Sequence, residues 1–249
     1  MIWNIAAVFY VYTSLIAVCY CRLPIPHVLL ISFDGFRWDY LQKVQTPNFD
    51  RIMRSGVFAK HGIKNIFTTK TFPNHHSIAT GLYAENHGIV GDVFYDPEFI
   101  EIFNGYDKRK AMDSKWYING GEPIWVTNQK NNIERRSGCL FWPLCGPSIN
   151  DVTPFRHMFY DPDMPNRTQI DTLVKWFTDN PPINLGLLYF DEPDVSGHRY
   201  GPDSKEIKIV IQHLDDMIGY VLDQLQQKGL LDTMHIIVTS DHGMSTLVA

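Results

Sequence analysis

Cysteine is scarce in this chain of 249 residues: there are four, and two of them, Cys19 and Cys21, sit in an apolar leader. The other two, Cys139 and Cys145, enclose Leu-Phe-Trp-Pro-Leu with no second pair and no close histidine. That argues against a thiolate zinc site and leaves a local disulfide as the natural use of the pair. Basic charge is scarce as well. Lys and Arg number 22 against 27 Asp and Glu, giving a net charge of −5 with the cations scattered. A protein built to hold a nucleic-acid backbone does not look like this. Internal repeats and low-complexity segments are absent. What is abundant is apolar material, 45% hydrophobic with 15 Phe and 12 Tyr, enough for one substantial core.

Met1 to Cys21 carries no charged side chain and is largely apolar from Ile2 through Val18, with the compact Ala17, Cys19 and Cys21 just ahead of Arg22. Residues 1–21 read as a signal peptide cleaved near Cys19 or Cys21, in preference to an uncleaved anchor, whose length the stretch barely reaches. Residues 22–249 then mature in an oxidising compartment, where a Cys139–Cys145 disulfide is expected. Asn166-Arg167-Thr168 is an N-glycosylation sequon, which fits an extracellular or cell-surface destination.

The rest alternates between apolar runs and helical spacing. His27 to Phe33 reads as a buried strand running into Asp34-Gly35. Asn48 to Arg54, closed by Gly56, reads as a short helix with Phe49, Ile52 and Met53 inward. Val57 to Ile66 is a candidate strand, Gly81 to Pro97 a glycine-punctuated loop, and Pro123 to Asn128 the start of a strand or helix. Gly138 to Pro165 reads as loop. Gln169 to Asp179 has helical spacing and is stopped by Pro181-Pro182. Ile183 to Phe190 is a second buried strand, ending in Asp191-Glu192-Pro193-Asp194. Ser204 to Lys228 is the clearest helix, closed by Gly229. His235 to Thr239 is a third strand, ending in Ser240-Asp241-His242-Gly243. Strands separated by helices predict an α/β fold with a largely parallel sheet. Ligands of such sheets gather at the carboxyl ends of the strands.

Those ends are where the chemistry collects. Asp34, the Asp191–Asp194 cluster and Asp241 each follow an apolar strand, and two of the sites add a histidine, His198 and His242. Any one Asp after a strand is most simply a turn residue. Three together, with two imidazoles, repel one another unless cations hold them, and Asp and His are zinc ligands where thiolate is lacking. Two metals about 3.5–4 Å apart are a standard arrangement for phosphoryl chemistry. Thr71 supplies a candidate nucleophile. It precedes Phe72-Pro73 just ahead of a helix N-terminus, where free N–H groups attract an anion. Alone, such a threonine is most simply a helix cap, and neither His75 nor His76 is clearly placed to activate it. His213 and His235 read as ordinary helix-face and strand-start residues. His61, His87 and His157 have no partner recognisable in the sequence, and Asp215 and Asp216 read as the solvated face of the long helix and its boundary.

From about Pro26 to Met244 these residues resemble the nucleotide pyrophosphatase/phosphodiesterase family of the alkaline phosphatase superfamily. The resemblance is carried by Ser32-Phe33-Asp34-Gly35-Phe36-Arg37, Lys70 through His75, Gly81-Leu82-Tyr83 through His87-Gly88-Ile89-Val90, Glu192-Pro193-Asp194 through Pro202, and Thr239 through Met244. Pro123 through Gln129 favours the short members, which lack somatomedin-B-like modules. The resemblance implies an alkaline-phosphatase-like sheet flanked by helices. It also implies a metal-bound Thr71 nucleophile and two zinc ions, one held by Asp34, Thr71, Asp241 and His242, the other by Asp194, His198 and a further His. Lys70, Phe72 and Tyr160 would contact the substrate, the two aromatic rings by stacking a base. The implied reaction is hydrolysis of phosphodiester or pyrophosphate bonds in extracellular nucleotides through a threonyl-nucleotide intermediate.

The sequence departs from that pattern twice. Asp92 stands where the family carries an Asn that donates to a phosphoryl oxygen; loss of one such donor costs about 2.7–4 kcal/mol in other enzymes. The chain also reaches Ala249 directly after the Asp241-His242-Gly243-Met244 motif. Residues 22–249 are therefore expected to be the N-terminal portion of a catalytic domain, without the third ligand of the second metal. Membrane attachment is expected only if a longer parent carries a C-terminal span. A sulfatase would need an Arg after the Thr71-x-Pro73 motif and has none. A lysophospholipid-type phosphodiesterase and a weakly active or inactive binding protein of the same fold are the alternatives.

Overall fold

The computed structural model describes residues 25–118 and 120–246, so the leader over 1–21 lies outside the described residues. Seven strands and eight α-helices alternate along the described chain. The central sheet contains β1 (His27–Phe33), β4 (Ser137–Leu140), β5 (Arg156–Met158), β6 (Leu185–Phe190) and β7 (Met234–Thr239). Its order is β5-β4-β6-β1-β7. Every pairing is parallel, with Phe33 opposite Phe190 and Ser32 opposite Thr239. The three strands foreseen from the sequence are thus immediate neighbours. A separate hairpin pairs β2 (Val93–Asp96) with β3 (Glu101–Asn104).

The unbroken apolar runs of β1 and β6 follow from burial on both faces. Alternate residues serve opposite layers. Leu29, Ile31 and Phe33 face one core with α6 (Asn166–Thr178) and α8 (Lys205–Gln227), through Ile170, Leu173, Leu214 and Ile218. Leu30 and Leu187 face a second core with Ala79 of α2 (Thr71–Thr80) and Trp125 of α5 (Ile124–Asn131). The long helix α8 starts where Ser204 Oγ accepts the N–H of Ile207 at 3.2 Å. Gly229, at φ +66°, follows its C-terminus.

Four expectations need correction. Residues 57–66 form no strand. They stand off from β7 across a cavity of about 610 Å³, with Val57 and Ile63 exposed, so no sheet edge is within reach. Residues 138–165 are more than loop: they carry most of β4 and all of β5, strands of four and three residues too short to show a period. The stretch from Gly81 to Pro97 holds the single turn α3 (Ala84–His87) as well as β2. Asp215 is buried and does not face solvent. Its carboxylate accepts the N–H groups of Asn48 at 3.0 Å and Phe49 at 2.9 Å, which caps α1 (Pro47–Ser55), because Thr46 offers no side-chain cap of its own.

Candidate active site

Because β6, β1 and β7 are adjacent and parallel, the residues after their carboxyl ends converge. Asp34 and Asp241 are each only 2% exposed. Nε2 of His242 lies 3.3 Å from Asp34 Oδ1 and 3.2 Å from Asp241 Oδ2. These three residues offer ligand atoms close enough together to hold one metal ion. Asp194 opens the short helix α7 (Asp194–Tyr200), which carries His198 one turn on, with Nε2 3.5 Å from Asp194 Oδ2. Gly35, at φ +67°, lets this helix come close: a Cβ there would sit 2.9 Å from both Cβ and Oδ1 of Asp194. Among the described residues Asp194 and His198 form a pair, with no third ligand beside them.

The electrostatics fit a cation. Burial, then the charge of Asp241, pushes the Asp34 carboxyl up to about 8. Burial likewise raises Asp241 and Asp194, the latter against the pull of His198 and His242. Burial lowers the pKa of His242, but Asp241 and Asp34 outweigh it and the net shift is upward. Most telling, Asp34 Oδ1, Asp194 Oδ1 and Asp241 Oδ2 are buried without a hydrogen-bond partner. Carboxylate oxygens held in a protein interior without a hydrogen bond are costly; a divalent cation removes that cost and favours the ionised form. The donor set of carboxylate oxygen and imidazole nitrogen suits zinc.

Thr71 is the first residue of α2, one position inside the helix and not ahead of it. Lys70 is the exposed residue preceding it. Thr71 lines a cavity of about 340 Å³ together with Asp34, Phe72, Tyr106, Tyr160 and Asp194, a volume within the range of small-molecule sites. Tyr160 thus lines the same cavity as Thr71. Its hydroxyl donates to Asp191 at 2.6 Å, and its ring packs edge-on against Phe141. Asp92 lies behind Phe72, accepting its N–H at 3.0 Å.

Two residues of the site escaped sequence reasoning. His75 is fully buried one turn after Thr71, with Nδ1 2.8 Å from the Thr71 carbonyl and Nε2 2.9 Å from Ser32 Oγ. A carbonyl only accepts, so Nδ1 carries the proton and Nε2 accepts from the serine. Burial lowers this imidazole to about 4, so it stays neutral and fixes the backbone at Thr71. The i, i+4 spacing to Thr71 was the available signal. Tyr189, in β6, donates to Asp34 Oδ2 at 2.6 Å, and nothing in an apolar run marked it. His87 also has partners: Nε2 is 2.8 Å from Ser77 Oγ, and Nδ1 accepts the N–H of Ile89 at 3.2 Å. His157 packs edge-on against Phe159 and lines the cavity. Cys139 and Cys145 are joined in a disulfide, and Asn166 opens α6, half-buried at the surface.

Comparison with known proteins places this geometry. The sequence profile described as type I phosphodiesterase / nucleotide pyrophosphatase matches residues 28–248. Human ectonucleotide pyrophosphatase/phosphodiesterase family member 5 is 44% identical over 218 residues, covering 88% of this chain and 45% of that protein. The bis(5'-adenosyl)-triphosphatase enpp4 of Xenopus laevis is 42% identical over 222 residues, 88% of this chain and 47% of its own. A structure of murine ectonucleotide pyrophosphatase/phosphodiesterase 5, an inactive threonine-to-alanine form in complex with AMP, superposes with a TM-score of 0.84 at 41% identity, over 90% of this chain and 58% of that one. The chain spans about half the length of the curated relatives it matches.

Proposed function

The chain belongs to the type I phosphodiesterase / nucleotide pyrophosphatase family, and from that premise we propose that its site hydrolyses phosphodiester or pyrophosphate bonds of nucleotides, with Thr71 as nucleophile and zinc as cofactor. The observation that carries this reading is the set of buried carboxylate oxygens of Asp34, Asp194 and Asp241 that accept no hydrogen bond, beside a cavity that Thr71 also lines. Asp34, Asp241 and His242, with Thr71, would hold one zinc; Asp194 and His198 would contribute to a second. Bound there, zinc lowers the pKa of a coordinated hydroxyl and neutralises phosphoryl charge.

The remaining work falls to the chain itself. Tyr189 fixes one oxygen of Asp34 by its hydrogen bond, and the N–H of Gly35 fixes Asp241 Oδ1 at 3.1 Å, so the other oxygens stay directed at the site. His75 locks the first turn of α2 and with it the Thr71 backbone. Phe72 and Tyr160 present aromatic surface on the cavity wall, suited to a flat base. The Thr71 oxygen bonds to phosphorus as the leaving-group oxygen departs; water then breaks the Thr71–phosphorus bond and releases a nucleoside monophosphate. The disulfide and the surface sequon at Asn166 support an extracellular setting.

The test is release of nitrophenol from the p-nitrophenyl ester of TMP. Wild type is expected to turn over weakly in the presence of zinc, because the second metal has only Asp194 and His198 among the described residues, and Thr71→Ala loses at least about a thousandfold in kcat. Equal rates in the two proteins would contradict the assignment of Thr71. Release of choline from a lysophospholipid, with no nucleotide hydrolysis, would favour the lipid reading.

A further inference from the structure

Asp92 and Tyr106 form a unit that the reaction above does not use. The N–H of Phe72, in the first turn of α2 and next to the nucleophile, is the kind of free donor that meets an anion at a helix start. Here it is taken. Asp92 Oδ1 accepts it at 3.0 Å, and Asp92 Oδ2 accepts the hydroxyl of Tyr106 at 3.1 Å. Both bonds run toward the carboxylate, so Asp92 has no donor to offer a phosphoryl oxygen.

The β2–β3 hairpin holds this arrangement. Asp92 immediately precedes β2, and Gly105 and Tyr106 immediately follow β3. A Cβ on Gly105 would lie 2.8 Å from the Phe72 ring, so only glycine lets the hairpin end rest flush on that ring. The Tyr106 ring meets Phe72 edge-on, with centroids 5.1 Å apart, and lines the cavity.

Resting on the nucleotide reading above, we infer that Asp92, held by Phe72 and Tyr106, makes the site select by charge at phosphorus, favouring a singly charged phosphodiester over a doubly charged terminal phosphate. A negative charge beside the first turn of α2 repels a dianion more than a monoanion, since one extra unit charge about 4 Å away near a protein surface is worth up to about a thousandfold in affinity. The chemistry gives this selection a use. The substrate is a diester and the product a monoester, so the same carboxylate that tolerates the first hastens departure of the second.

The experiment is calorimetric titration of the whole 249-residue chain in zinc-containing buffer at pH 8 with two ligands, AMP and the methyl ester of AMP. Three proteins are compared: wild type, Asp92→Asn and Tyr106→Phe. Asn keeps the size and an acceptor for the Phe72 N–H but removes the charge. AMP should tighten by at least about tenfold, and the singly charged methyl ester by about the square root of that factor. Tyr106→Phe keeps the charge and withdraws the hydroxyl that partly neutralises it. AMP should then weaken relative to the methyl ester, and this variant decides the matter whether or not Asp92→Asn folds. The same AMP-to-ester affinity ratio in the proteins that fold overturns the charge selection and leaves the nucleotide reading standing. Failure of every protein to bind either ligand overturns the nucleotide reading and this inference together.

Discussion

His76 is fully buried in α2, with neither ring nitrogen hydrogen-bonded, and its ring meets that of His87 edge-on with centroids 4.9 Å apart. Burial lowers its pKa to about 3 and that of His87 to about 4, against an ordinary value of 6.5. In the unfolded chain both titrate near 6.5. Below that pH the unfolded state binds more protons than the folded one, so their contribution to stability is present above about pH 6.5 and lost as pH falls toward 4. His76→Phe removes two unsatisfied nitrogens. It is expected to raise stability by roughly 1–3 kcal/mol at neutral pH and to flatten the acid limb, as read from urea melts between pH 4 and 7.5. No gain and an unchanged acid limb would show that the imidazole is satisfied in solution. At this scale legibility depended on chain context. Asp34, Asp194, Asp241 and His242 stood out because each follows an apolar run. Tyr189 lies inside such a run and His76 inside a small-residue helix, where only the tertiary neighbours show that the polar atoms matter.

Among the elements, α1 shows a cap supplied from far along the chain. Thr46 and Pro47 mark where the helix begins, yet the carboxylate that satisfies its first N–H groups belongs to Asp215 on α8. An acid in the middle of a long amphipathic helix reads as solvated face, and only the packing of α8 on α1 reverses that. Asp215→Ala leaves those N–H groups buried and unmatched. The expected loss is about 2–3 kcal/mol of unfolding free energy, measured by chemical denaturation, whereas Asp216→Ala on the exposed side should change little. The strands divide similarly. β1, β6 and β7 were legible because their apolar runs extend for six or seven residues. β4 and β5 were hidden, since three or four residues with Gly138 and Cys139 among them give no period; β4 takes its strand geometry from β6 alongside, and β5 from β4.

At the scale of the whole molecule, parallel order does the chemical work. Three neighbouring strands end at one edge, so residues more than 200 positions apart, Asp34 and Asp241, share a single imidazole, that of His242. Two layers of apolar packing, one on each face of the sheet, hold those ends in place. The fold class and the convergence of the acids were therefore legible from the strand–helix alternation and the motif positions. The cavity wall was not, because it is assembled from the β2–β3 hairpin and the turns around Phe141 and Tyr160, whose courses local propensity does not specify.

The most direct test of the central claim is a zinc titration of the chelator-stripped chain, wild type against Asp241→Asn, by isothermal calorimetry at pH 7.5. The account predicts saturable zinc binding by wild type and at least a tenfold loss of affinity in the variant, roughly 1.4 kcal/mol or more. Absence of zinc binding by wild type, or equal affinity in the two proteins, would contradict it.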